Sequence, residues 1–111
     1  MSHFQDFEKC AVRLLAGTTL GPELLERVLE EAELVSYEYS GVGYFLTVRH
    51  PRLPKDRRVL SEPVVIGRVG EIEGGFLVFV QNAELMLECY TAGAVKVPSN
   101  FREQNVNVAA A

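Results

Sequence analysis

The sequence predicts an α+β domain in which two N-terminal helices pack on a mainly antiparallel sheet of about five strands. Three observations carry this. Apolar side chains recur at helical spacing over residues 4–32, the period falls to two from Leu34, and Gly75 to Tyr90 reads as two strands joined at Asn82-Ala83. That last stretch is the expected centre of the sheet. No polar residue interrupts Phe76, Leu77, Val78, Phe79 and Val80, so the first strand should be covered on both faces. Leu85, Leu87 and Cys89 alternate with Glu84 and Glu88, so the second should be covered on one.

Taken in order, Ser2 with Gln5 three residues later has the form of a capping box, and Phe4, Phe7, Ala11, Leu14 and Leu15 then mark a helix running to Gly17. Pro22 follows Gly21 at a first helical position. Leu20 and Leu25 can form a staple there, and Leu24, Leu25, Val28, Leu29 and Ala32 make the apolar stripe of a second helix. Val35, Tyr37 and Tyr39 alternate with Ser36, Glu38 and Ser40. Gly41-Val42-Gly43 then turns the chain into Tyr44 to Val48, which predicts a hairpin. Pro51 and Pro54 exclude regular helix from HPRLPKDRR and keep His50 and Leu53 extended, so this segment reads as an exposed loop. Val64 to Val69 is the next strand, Val95 to Val97 a short one stopped by Pro98, and Val106 with Val108 marks a last edge strand before a frayed Ala109 to Ala111. A meander is the simplest strand order.

The 111 residues suit one domain, 1–111, with the tail 98–111 either an edge strand or partly disordered. Such a chain buries roughly two-thirds of its unfolded surface. The start MSHFQDFEKC has no signal-like apolar segment, and nothing approaches the roughly 18 apolar residues of a membrane helix, so a soluble cytoplasmic protein is expected. Cys10 and Cys89, far apart at predicted core positions, read as buried free thiols.

The chain carries no GxxxxGK[ST] loop, GxSxG elbow, HExxH or CxxC, and only two histidines. The reading leans away from an enzyme and assigns no catalytic residue, metal ligand or cofactor. Glu84 and Glu88 lie on one face of a strand, but their Cα atoms are roughly 13 Å apart, too far for an acid/base dyad. Gly67 and Gly70 signify a bend. His50 sits among Arg49, Arg52, Lys55, Arg57 and Arg58, whose charge disfavours its protonated form, yet only Asp56 is near to work with it.

Charge, rather than catalytic parts, is the informative feature. Residues 49–58 carry +4, whereas the whole chain carries −4, so the remainder carries −8. The basic loop suits phosphates or a partner's carboxylates. Nucleic acid is disfavoured, because the loop lacks interleaved aromatics and the remaining surface repels a polyanion. Helix two has the opposite sign. Glu23, Glu26, Glu30 and Glu33 share the face away from the apolar stripe, and Glu30, Glu31 and Glu33 stand at the helix end the dipole makes unfavourable for them. Such a face could dock a basic protein.

The motifs GVGYFLTVRHPRLPKDR and GGFLVFVQNAELMLECY resemble, in texture, small bacterial immunity proteins of polymorphic-toxin and contact-dependent inhibition systems. The resemblance covers Gly41 to Tyr90 and implies a cognate toxin domain as partner, with no residue role carried over. The leading reading is therefore a non-enzymatic protein-binding domain whose contact residues are Glu23, Glu26, Glu30, Glu33, Arg52, Arg57 and Arg58. Two alternatives stand beside it. One is a small-ligand or phosphate site built from His50, Arg52, Arg57 and Arg58; the other is a self-associating protein, a homodimer paired through an edge strand.

Overall fold

The computed structural model describes residues 2–111. Helices α1 (Asp6–Leu20) and α2 (Pro22–Glu31) precede strands β1 (Glu33–Tyr39), β2 (Gly43–Arg49), β3 (Arg58–Val69), β4 (Ile72–Gln81) and β5 (Glu84–Thr91). A single 3-10 turn at Phe101–Glu103 leads to β6 (Asn107–Ala110). The expected α+β class is found, with six strands rather than five, every neighbouring pair antiparallel. Both helices lie on one face of the sheet. Ala11, Val12 and Leu15 of α1 and Leu25, Val28 and Leu29 of α2 meet Tyr44, Leu46, Val48, Phe76, Val78, Val80, Leu85 and Leu87 in one core.

The strand order is β1-β2-β5-β4-β3-β6, which corrects the meander. The central hairpin is as expected: Asn82 and Ala83 both take positive φ, 53° and 61°, as a two-residue turn matched to strand twist requires. β2, however, pairs with β5 rather than β3. The eight residues between β2 and β3 must cross roughly three strand spacings of about 4.8 Å, well within their extended reach. They do so around the hairpin turn, where Asn82 and Ala83 donate to the carbonyls of Lys55 and Pro54. The segment is the loop its prolines suggest, exposed at Pro51, Arg52 and residues 55–57, but pinned to that turn. Leu53 and His50 are buried, and β3 begins at Arg58, earlier than expected, with a bulge between Leu60 and Val65.

Three further expectations change. The capping box belongs to Gln5 and Glu8, while the Ser2 hydroxyl donates to the Leu29 carbonyl. Val95 to Val97 forms no strand; Val97 is buried, its N–H held by Thr91 and its carbonyl by Tyr39. The tail is ordered: Ala109 and Ala110 pair with β3, and the Ala111 N–H reaches Val64. Cys89 is buried and Cys10 half-buried, both free.

Residues 92–106 cross the sheet beneath α1 on the way to β6. Phe101 fills the gap, its ring edge-on to Phe7 at 5.7 Å between centroids and lying where a side chain on Gly74 would stand. Arg102 follows and meets Glu8, a carboxylate with no solvent exposure. Its Nε and Nη2 each donate to Glu8 at 2.8 Å, the Tyr44 hydroxyl donates to the same group, and the Gln5 N–H closes the capping box at 2.7 Å. All acceptor positions of the carboxylate are then engaged. The guanidinium also lies 5.3 Å from the Tyr37 ring centre and donates to the His3 carbonyl. Burial first, and the Glu8 charge second, hold the Tyr44 phenol protonated well above its ordinary range.

Two stability measurements follow from this architecture. Arg102→Met leaves a buried uncompensated carboxylate and should cost about 3–5 kcal/mol in urea denaturation, part of which is regained when Glu8→Leu is added. Ala83→Gly relieves a left-handed residue that carries a Cβ; against glycine's entropy loss, a net gain of up to about 1 kcal/mol is expected in the same assay.

Candidate protein interface

The expected acidic face of Glu23, Glu26, Glu30 and Glu33 does not form: α2 ends at Glu31, which puts Glu33 in β1, and the other three carboxylates are paired. Lys9 and Arg13, one turn apart on α1, lie against Glu30 and Glu26, one turn apart on α2, at 2.8 Å each, the Arg13 contact being bidentate. The Arg13 hydrogen bond holds the Glu26 carboxyl below its usual range, and Lys9 does the same for Glu30. Glu23 has Arg27 at 3.7 Å and Arg52 at 3.5 Å. Glu33 opens β1, opposite Arg49. The carboxylates near the C-terminal end of α2 are compensated from outside the helix by Lys9 for Glu30 and His50 for Glu31, and within it by Arg27, four residues before Glu31.

The basic segment is dispersed in the same way. Arg52 faces Glu23, Arg58 is paired with Asp56 at 2.9 Å, and Arg49 is paired with Glu84 at 2.6 Å. Among the described residues Arg57 and Lys55 make no ion pair. His50 is buried and fully used. Its Nδ1 accepts the Arg52 N–H at 3.2 Å, so in the neutral ring Nε2 carries the proton and faces Glu31 at 3.4 Å; its own N–H donates to Ala83. A cleft of about 280 Å³ lies beside it, lined by Glu31, Glu33, Arg49, His50, Pro51 and Ala83. Of the four residues expected to form a ligand site, His50 lines this cleft and Arg52, Arg57 and Arg58 do not.

The sheet supplies a different surface, one the sequence did not single out. Among the described residues no element covers the face opposite the helices, so Leu77 and Phe79 are half-buried and β4 is not enclosed on both sides as expected. Register places Glu38, Phe45, Glu88 and Leu77 in one row across β1, β2, β5 and β4, and Ser36, Thr47, Met86, Phe79 and Val59 in the next. Beyond them Tyr90 occupies the space that a side chain on Gly75 would need. A solvated sheet face ordinarily alternates to polar residues; this one sets Phe45, Leu77, Met86, Phe79 and Val59 among Glu38, Glu88, Ser36 and Thr47. Its Glu84 and Glu73 are closed by Arg49 and Arg68, each at 2.6 Å. Glu88 has no such partner, and partial burial alone raises its carboxyl above the ordinary value of 4.5.

Each observation sets a measurable expectation. His50→Asn should keep the turn, because a side-chain acceptor for the N–H two residues on is retained, whereas His50→Ala should cost about 1–3 kcal/mol and speed hydrogen exchange at Arg52. For Glu88 the folded value is the higher one. The cost of its charged form is therefore absent below pH 4.5 and fully present once pH exceeds the folded value. Glu88→Gln should raise the thermal midpoint at pH 7 and lose that advantage on acidification below pH 4.5.

Comparison with protein-family models, with curated proteins and with solved structures finds no match to this chain.

Proposed function

We propose that the chain is a non-enzymatic protein-binding domain, and that it serves as an immunity protein that silences a cognate toxin domain by binding it. The observation that carries the binding reading is the uncovered sheet face, where Phe45, Leu77, Phe79, Met86 and Tyr90 stand half-buried on strands whose other face is fully packed. Exposed sheet faces that carry aromatic and aliphatic side chains in this number mark protein interaction sites. The immunity reading adds the resemblance of residues 41–90 to that class of proteins. The acidic positions Glu23, Glu26, Glu30 and Glu33 and the basic positions Arg52, Arg57 and Arg58 belong to this reading as a flanking surface. Pairing of Glu23 with Arg52, of Glu26 and Glu30 with Arg13 and Lys9, and of Arg58 with Asp56 reduces the net field they offer a partner, since each paired charge is largely neutralised at short range.

A second reading, a small-ligand site, is favoured by the cleft beside His50. Its two carboxylates and its arginine, already held by Glu84, suit a cationic ligand better than a phosphate. Calorimetry with inorganic phosphate and with a simple organic ammonium ion separates these two chemistries.

The binding reading is tested by tagging the full chain in its native host and purifying it under moderate salt. One protein should be retained in stoichiometric amount, bind the chain again when both are made separately, and lose its toxicity when the two are co-expressed. A chain that consistently emerges alone overturns the reading. A retained protein that stays toxic in the complex leaves binding in place and removes neutralisation.

A further inference from the structure

We infer that the uncovered sheet face docks a protein segment that sets a lysine or arginine on Glu88 and apolar side chains on Phe45, Leu77, Phe79 and Met86; this rests on the reading of the chain as a protein-binding domain. Position comes first. Glu88 lies in the middle strand pair, directly between Phe45 and Leu77, with Met86 and Tyr90 before and after it on the same face of β5. A cation reaching it must lay its own stem across aliphatic and aromatic groups, a fit for the methylenes of arginine or lysine.

Charge supplies the complement. Arg49 and Arg68, on the two strands outside the β5–β4 pair, are each committed to a carboxylate, Glu84 and Glu73. What remains uncompensated in the central row is negative: Glu88, and Glu38 two strands away. Among the described residues the Glu88 carboxylate has neither a hydrogen bond nor an ion pair, although its surroundings remove part of its water. Desolvating a carboxylate without a partner disfavours the folded chain. A local rule broken with no gain inside the molecule points to a gain outside it.

The same arithmetic of charge argues against a second copy as the occupant. A two-fold contact of this face with itself would set the Glu38 and Glu88 of each copy among those of the other, while Arg49 and Arg68 of the face are already held by Glu84 and Glu73. Polyanions are repelled for the same reason. A basic, partly apolar protein segment meets both requirements.

The test uses the full chain, immobilised and panned with a phage library of short random peptides. Enriched peptides should carry lysine or arginine among apolar residues and bind Glu88→Gln about tenfold or more weakly. They should bind Glu103→Gln, a substitution in the 3-10 turn outside this face, unchanged, and Glu88→Lys should instead retain versions in which the basic residue is exchanged for glutamate. Thermal melting guards the result, since Glu88→Gln is expected to melt no lower than the parent. Peptides that bind Glu88→Gln undiminished but fail on Glu26→Gln/Glu30→Gln overturn this surface and leave protein binding standing. No peptide enriched above an uncoated surface overturns both. A dimer in sedimentation that is abolished by Phe45→Ser makes a second copy the occupant and overturns the proposal.

Discussion

The bidentate contact between Glu8 and Arg102 is the interaction on which the rest of the molecule depends. It joins residues 94 positions apart and closes, in one group, the first turn of α1, the buried Tyr44 of β2 and the crossing segment that delivers Phe101 to the core. A carboxylate without solvent exposure is tolerable only when each of its acceptor sites is filled. Here they are, by a backbone N–H, a phenol and a guanidinium. The geometry therefore fixes the direction of α1 over the sheet and the path of residues 92–106 together, and neither can shift without exposing the other's polar group.

That fixed helical layer leaves the opposite sheet face as the place where composition and environment disagree. Inside the core each polar group has a partner, and on the helical surface the acidic residues of α2 are met by Lys9, Arg13 and Arg52. On the open face the two carboxylates toward the ends of the strands are met by arginines, and the central one is not. The distribution of compensation, more than the distribution of charge, separates scaffold from candidate interface.

The helices were legible in the sequence because their apolar stripes are long and Pro22 marks the second start, whereas the first capping box was read one turn early, at Ser2 instead of Gln5. The hairpin at Asn82-Ala83 was legible from a continuous apolar run and an alternating one with turn residues between them. Strand order was not, because the pairing of β2 with β5 depends on where a proline-rich connection can travel, and its anchorage to the 82–83 turn is made by backbone groups that carry no side-chain signature. The antiparallel charge pairing of α1 with α2 was present as matched spacing, Lys9 and Arg13 against Glu26 and Glu30, but it requires the helices to be neighbours before it means anything. Glu8 offered a clearer signal: it falls in the apolar stripe with Phe4, Phe7, Ala11, Val12 and Leu15, where a carboxylate is out of place. Glu88 offered none, since alternation made it look like ordinary solvent-facing punctuation.

The distance along the chain between Glu8 and its arginine has a consequence for how the protein comes to be made. Everything up to β5 can be synthesised, and the hairpins β1–β2 and β4–β5 can zip, while the carboxylate of α1 still lacks its cation. A ribosome-bound chain that has not yet released residue 102 cannot seat α1 on the sheet without burying an unanswered charge, and its strand β3 still shows an open edge where β6 will lie. Completion of the core is thereby postponed until residue 102 is available, so chains made only as far as β5 carry their own mark of incompleteness in the form of an unseated helix.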